Sequence, residues 1–210
     1  MITIKHYLYI LSSWAYIAEP ALAKAQQAYG DCIKYEWHIA CADYDGAGPY
    51  KRHELEYYYK RLESATGLSL NLDWWYEGCD AHNADLIAEA ARSLGATGSS
   101  VRLALASAAL EKGIQVTRMD VGVPIAAGAA RLSESDLFKA VADPKIKERL
   151  SGSKQEYLAL GVSQRPVFCL SNEIGDTVLL SGLWRAEPLL SALDELIKDE
   201  KSQNAFPAGP

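Results

Sequence analysis

The sequence predicts an α/β fold in which one sheet is assembled from the two ends of the chain, with a long all-helical segment inserted between them. Three observations predict it. Residues 2–39 show strand-like runs on either side of one helical stretch, His53 to Leu160 keeps a helical period with short breaks, and strand period returns after Gly161. The resulting order is β-α-β, a helical block of roughly 110 residues, then β-β-α, and so long a connection that is itself helical is an insertion rather than a loop.

Each element has its own local signal. Residues 2–10, Ile-Thr-Ile-Lys-His-Tyr-Leu-Tyr-Ile, are β-branched and aromatic and run into Leu11-Ser12-Ser13, which reads as a buried strand meeting a helix start. Ala15 to Tyr29 reads as a helix bent or restarted near Pro20, broken at Gly30-Asp31, and Ile33 to Ile39 is a second strand, parallel to the first across a helical crossover. A glycine-rich loop, Asp45 to Pro49, follows. Helices are expected at His53–Ala65, Asp80–Leu94, Ser99–Glu111, Val121–Leu132, Glu134–Ala142 and Pro144–Leu160. Asp80 and Ser133 are cap residues, and Asp143-Pro144 puts a cap before a proline at the first helical position. Pro166 to Leu170 and Thr177 to Leu183, joined by a turn at Asn172 to Asp176, form an antiparallel hairpin, and a last helix covers Ala186 to Lys198. Residues 1–50 and 160–200 thus make one discontinuous domain and 51–159 the inserted helical domain. Residues 201–210, with Ser, Gln, Asn and two prolines, make a flexible tail.

A chain of 210 residues with a formal charge of −6 and a pI near 5.3 can bury a full core but lacks the clustered Lys and Arg that phosphate binding needs, so no nucleic-acid partner is expected. No apolar stretch reaches the roughly 18 to 20 residues of a membrane span, and alternation in Met1 to Ile17 favours a buried strand over a signal peptide. The expected location is the cytoplasm, without membrane partners. Cys32, Cys41, Cys79 and Cys169 are widely separated and form no CxxC or metal-ligand spacing, so they read as single reduced thiols and no metal site is expected.

Ser12-Ser13-Trp14-Ala15-Tyr16, at the junction of first strand and first helix, resembles the Cys-Pro-Trp-Cys-Tyr stretch of FrnE-like members of the DsbA family. It is also similar to the Ser-Pro-Tyr-Ser-Trp type of stretch in kappa-class glutathione transferases and 2-hydroxychromene-2-carboxylate isomerases. Tyr35-Glu36-Trp37 resembles the family's second strand, Asp80-Ala81-His82 the opening of an insertion helix, and Gly161-Val162-Ser163-Gln164-Arg165-Pro166 the stretch that ends in the family's cis-proline. The resemblance implies a thioredoxin fold with a helical insertion. Two departures stand out. Ser12 and Ala15 occupy the cysteine positions, so no disulfide can form there. Leu183-Trp184-Arg185 stands where the glutathione-using relatives have a Ser-Asp pair for the γ-glutamyl end.

By resemblance, Ser12 hydrogen-bonds the sulfur of bound glutathione and holds it as thiolate, aided by the first helical turn; the alternative is that Ser12 or Ser13 merely caps the helix. Nothing pairs Ser12 with an activating base, which leaves a Ser-His-Asp reading without support. Arg165 is the second candidate, its guanidinium available to a carboxylate and its bond to Pro166 cis by resemblance, against an ordinary trans turn with Arg165 solvated. The aromatics Tyr57-Tyr58-Tyr59 and Trp74-Trp75-Tyr76, with Trp14 and Trp184, either line a cleft for a flat apolar ligand or pack the insertion; Tyr58 is the tyrosine assigned to binding. His38 and His82 are acid-base groups or packing residues. The assembled expectation has Ser12, Arg165 and His38 as catalytic residues and Ser13, Trp14, Pro166, Trp184 and Tyr58 as binding residues. The resemblance implies a glutathione-dependent isomerase, or a transferase or lyase, of a small aromatic or polycyclic compound, with a homodimer as its possible assembly. A thiol-independent isomerase or lyase and a redox-inactive binding protein remain as the alternatives.

Overall fold

The computed structural model describes residues 1–40 and 51–205. The expected loop at Asp45 to Pro49, and Cys41, lie outside the described residues. The chain divides into two compact units, one of Met1–Leu8, Ile17–His38 and Val162–Pro210, the other of Tyr9–Tyr16 and Ile39–Gly161.

The first unit is built on a four-stranded sheet of order β2-β1-β3-β4, from β1 (Ile2–Leu8), β2 (Ile33–Ile39), β3 (Val167–Ser171) and β4 (Thr177–Ser181). Alternation in β1 sends Ile2, Ile4 and His6 to one face, and the antiparallel register sets Ile4 opposite Leu170 and His6 opposite Phe168. β3 and β4 pair antiparallel, their turn closed by the Asp176 N–H donating to Asn172 Oδ1 at 2.8 Å. Helices α2 (Glu19–Tyr29) and α9 (Ala186–Ala205) pack together in this unit. Ala18, Ala25, Leu189, Ala192, Leu193 and Leu196 complete the core begun by the sheet residues.

Several boundaries differ from expectation. β1 stops at Leu8 rather than residue 10, because the next residues turn away from the ladder. β4 ends at Ser181, where Gly182 adopts φ 70° and donates its N–H to the Pro166 carbonyl at 2.9 Å. α9 continues through Ala205, five residues into the segment read as a flexible tail. The helix formers there suit a helix, and Glu200 takes the Met1 ammonium at 2.7 Å.

The second unit contains α1 (Ser13–Ile17, its last residue lying in the sheet unit), α3 (Arg52–Thr66), α4 (His82–Ser93), α5 (Ser100–Leu110), α6 (Met119–Ala130), α7 (Glu134–Val141) and α8 (Pro144–Ala159). Its centre is α4, in which every residue from Ala84 to Ala91 is buried and against which α5, α6, α7 and α8 pack. The caps predicted at Ser133 and Asp143 are in place, with Asp136 N–H donating to Ser133 Oγ at 3.3 Å and Lys145 N–H to Asp143 Oδ1 at 2.9 Å. α4 instead begins at His82 with Ala81 at its N-cap, and Asp80 closes a turn just ahead of it by accepting the His82 N–H on Oδ1 at 3.0 Å. Among the described residues no helix is long and apolar enough to cross a membrane, and no three His, Cys, Asp or Glu side chains are grouped to hold a metal ion.

Candidate active site

The chain leaves β1 at Leu8 and must reverse into α1 within four residues. The Ser12 N–H donates to the Tyr9 carbonyl at 2.9 Å, which closes a turn, and the Ser12 carbonyl then accepts the Tyr16 N–H at 2.9 Å as the first bond of the helix. Ser12 is therefore the N-cap of α1. Its Oγ accepts the Ala15 N–H at 3.3 Å, which satisfies an otherwise orphaned donor of the first turn. The capping reading of Ser12 is thus realised, but it engages only the oxygen. Among the described residues nothing accepts the hydroxyl proton of the half-buried Ser12, so the O–H is available to donate. Ser13 and Ala15 are buried, and Trp14 is half-buried beside them.

The turn is held from both sides within its own unit. Before Ser12, the Ile10 N–H donates to Asp85 Oδ1 of α4 at 3.1 Å, and the Tyr9 ring lies edge-on to His82 at 6.0 Å. His82 Nδ1 stands 3.8 Å from Asp85 Oδ2. After Ser12, the Tyr16 hydroxyl donates to Glu111 Oε1 at 2.6 Å, while Ser107 donates to Oε2, also at 2.6 Å. The Ser107 and Tyr16 hydrogen bonds hold the Glu111 carboxyl below its usual range. Asp85 escaped the sequence reading, although one signal pointed to it: Ala81, Ala84, Ala88 and Ala91 form an apolar stripe at helical spacing, and Asp85 interrupts that stripe.

The tyrosine run separates as consecutive helical residues must. Tyr59 is buried and its hydroxyl accepts Trp74 Nε1–H at 3.0 Å, with burial pushing the phenol up. Tyr57 and Tyr58 are exposed and pack edge to face on each other at 5.7 Å.

In the sheet unit, the Arg165–Pro166 peptide bond is cis and Pro166 is buried, with Arg165 half-buried before it. His38 sits at the end of β2 with its ring 5.2 Å from Tyr7 and its Nε2 3.7 Å from Glu36 Oε2. Lys34, 2.7 Å from Glu36, keeps that carboxyl below its usual range. Trp184 is packed against the core, and the Arg185 guanidinium lies 5.2 Å from its ring. His6, given no role from sequence, is fully buried, stacked on Phe168 at 4.3 Å with Nδ1 3.1 Å from the Tyr35 hydroxyl. Cys32, Cys79 and Cys169 are unpaired, and burial pushes the thiols of Cys79 and Cys169 up, away from thiolate character.

Residues 3–194 match the family of DSBA-like thioredoxin domains. No curated protein sequence matches the chain. Among solved structures, a candidate protein disulfide isomerase from Nitrosomonas europaea superposes with a TM-score of 0.77 at 16% identity, covering 94% of this chain and 98% of that one. The cytosolic disulfide reductase DsbM from Pseudomonas aeruginosa does so with a TM-score of 0.69 at 19% identity, covering 97% and 99%, and has also been solved with GSH. A 2-hydroxychromene-2-carboxylate isomerase gives a TM-score of 0.61 at 15% identity, covering 99% and 100%. At such identities the likeness is one of fold.

Proposed function

The chain belongs to the DSBA-like thioredoxin family, and from that premise we propose that it is a glutathione-dependent isomerase, or a transferase or lyase, of a small aromatic or polycyclic compound. A dithiol oxidoreductase is disfavoured on chemical grounds, since neither Ser12 nor Ala15 carries sulfur. The observation that carries the proposal is the Ser12 hydroxyl, whose oxygen is engaged by Ala15 N–H while its proton has no acceptor among the described residues. Such a group is a donor held in one place. Donation to an anionic sulfur would favour thiolate over thiol, because a hydrogen bond to the charged form lowers its pKa. Ser12 would bind and orient without forming a covalent bond. Bound glutathione would supply the sulfur nucleophile. Two of the fold neighbours, DsbM solved with GSH and the 2-hydroxychromene-2-carboxylate isomerase, are consistent with this chemistry on the scaffold.

The Ser12 hydroxyl suits a thiol, but Leu183-Trp184-Arg185 lacks the Ser-Asp pair that the glutathione-using relatives have for the γ-glutamyl end, and Trp184 is engaged in packing. That observation supports a second reading, a thiol-independent isomerase or lyase in which His38, Arg165 or a tyrosine moves the proton. Calorimetric titration with reduced glutathione, repeated on Ser12→Ala, decides between them. Saturable binding that weakens in the variant supports the first reading; no binding at millimolar ligand removes it and leaves the second, or a binding protein without catalysis. A cytoplasmic location agrees with the unpaired Cys32, Cys79 and Cys169. Sedimentation would show whether the protein is a homodimer.

A further inference from the structure

We infer that Asp85 is the positioning residue of this site: its buried carboxylate fixes the turn of residues 9–12 through the Ile10 N–H and so determines where the Ser12 hydroxyl points. The inference rests on the reading of Ser12 given above and adds to it a residue that never touches the ligand.

The argument begins with a side chain in an expensive place. Asp85 is fully buried one turn into α4, on a face that it shares with Ala81, Ala84 and Ala88 and with the polar His82 and buried Glu89. A carboxylate taken out of water loses far more than neighbouring methyl groups gain, and an apolar residue would pack there without that loss. Packing of α4 therefore does not explain the aspartate. Its hydrogen bond does. β1 ends at Leu8, so the Ile10 N–H has no ladder partner, and a buried N–H left without an acceptor is itself costly. Asp85 Oδ1 accepts it at 3.1 Å.

The same helix turn holds the adjacent residue by other means. His82 stands 3.8 Å from Asp85 Oδ2 and presents its ring to the edge of Tyr9. Tyr9 is the residue whose carbonyl takes the Ser12 N–H. Asp85 thus reaches Ser12 along two short paths, through the backbone from Ile10 and through His82 and Tyr9. With Tyr16 anchored to Glu111 on the far side, Ser12 is the free apex of a turn fixed at both feet. A donor meant to meet one atom of a ligand needs that fixing, since a small misplacement costs a large part of the effect.

The test compares Asp85→Ala with Asp85→Asn, which keeps an oxygen for the Ile10 N–H, by amide hydrogen exchange and by titration with reduced glutathione. In Asp85→Ala, exchange at Ile10 and Ser12 rises about tenfold or more while α5 and α6 amides keep their protection, and glutathione affinity falls about tenfold. Asp85→Asn restores most of both. Unchanged Ile10 exchange and affinity in Asp85→Ala would overturn the inference, as would a loss of protection spread evenly over the unit or a failure of Asp85→Asn to rescue. Should Asp85→Ala not fold, the wild-type Ile10 amide still decides, because fast exchange there is incompatible with the proposed bond. If wild type binds no glutathione, the Ser12 reading fails by itself, and the exchange data report on the turn independently.

Discussion

Replacing Ser12 by glycine and, separately, by alanine distinguishes a hydroxyl that only caps a helix from one that also serves a ligand. Both variants lose the same donor, but they differ in what they do to the cap. The Oγ to Ala15 N distance of 3.3 Å is long for a hydrogen bond, so the alanine variant should lose about 1 kcal/mol, whereas glycine at an N-cap loses only a few tenths. For a chain of this size that is about 2–4 °C in midpoint for Ser12→Ala and about 1 °C for Ser12→Gly. The hydroxyl bond to a thiolate is charge-assisted and worth about 1.5–3 kcal/mol, or about 10- to 150-fold in affinity. Calorimetry with reduced glutathione should therefore show both variants weakened alike, although their stabilities differ. S-methylglutathione, which cannot form a thiolate, should bind wild type and both variants equally. Ser12→Gly binding reduced glutathione within about threefold of wild type would refute the donor role, because that variant removes the hydroxyl while sparing most of the cap.

Other perturbations have equally definite outcomes. The double variant Ser12→Cys with Ala15→Cys places two thiols in the first turn of α1 and should give a reversible disulfide, counted by free-thiol titration after equilibration in glutathione buffers; Ser12→Cys alone should give only a mixed disulfide. Gly122→Ala should cost about 3 kcal/mol in denaturant unfolding, since the added Cβ would lie 2.1 Å from the Val116 carbonyl oxygen, which as backbone cannot give way, and 2.7 Å from Ile87 Cδ1. Tyr59→Phe leaves the Trp74 indole N–H buried without its acceptor and should lower the stability found by urea unfolding by about 1–3 kcal/mol. Tyr29 has its phenol pushed up to about 12, by burial first and by its bond to Asp194 second. The protonated phenol is the form favoured on folding, so its contribution is complete below the ordinary phenol value near 10 and is lost as pH rises toward 12. Midpoints measured across that window should fall less steeply in Tyr29→Phe.

What was readable in the sequence divides along the line between local and tertiary causes. β2 was found with both ends correct because Gly30-Asp31 breaks the helix before it and the β-branched and aromatic residues begin at once. The caps at Ser133 and Asp143 are legible because capping is a matter of two or three neighbouring residues, whereas the N-cap of α4 falls one residue past the expected Asp80, at Ala81. β1 was overextended because Tyr9 and Ile10 have strand-like side chains and are buried as expected, yet their backbone is drawn away by Asp85, 75 residues later in the chain. α9 runs past the expected end because the Ser, Gln, Asn and Pro content after 200 reads as a tail, whereas the helix continues and the Met1 ammonium pairs with Glu200. The cis bond at Arg165–Pro166 followed the resemblance; no local rule would have demanded it. His6 and Asp85 were missed for one reason. Each is a polar residue at the apolar phase of its element, Ile2-Ile4-His6 along a strand and Ala81-Asp85-Ala88 along a helix, and a titratable group set in such a stripe is the mark worth seeking.

The chemistry at Ser12 also explains how the fold tolerates the loss of its sulfur. A cysteine at the N-cap of α1 would have its thiolate stabilised by the N–H groups of the first turn, and Ser12 Oγ accepts one of those groups, that of Ala15. The turn is thus satisfied by oxygen much as it would be by sulfur, and Ala15, buried, fills the second position without asking for a partner. What changes is the reactivity. A hydroxyl at its ordinary pKa is a poor nucleophile and cannot carry electrons between disulfides, so any sulfur chemistry performed here must arrive with a ligand. On the proposed reading the site holds another molecule's thiolate rather than being one. For that task a hydroxyl with its oxygen engaged and its proton unclaimed among the described residues, on a turn fixed from α4 and α5, is the better equipment.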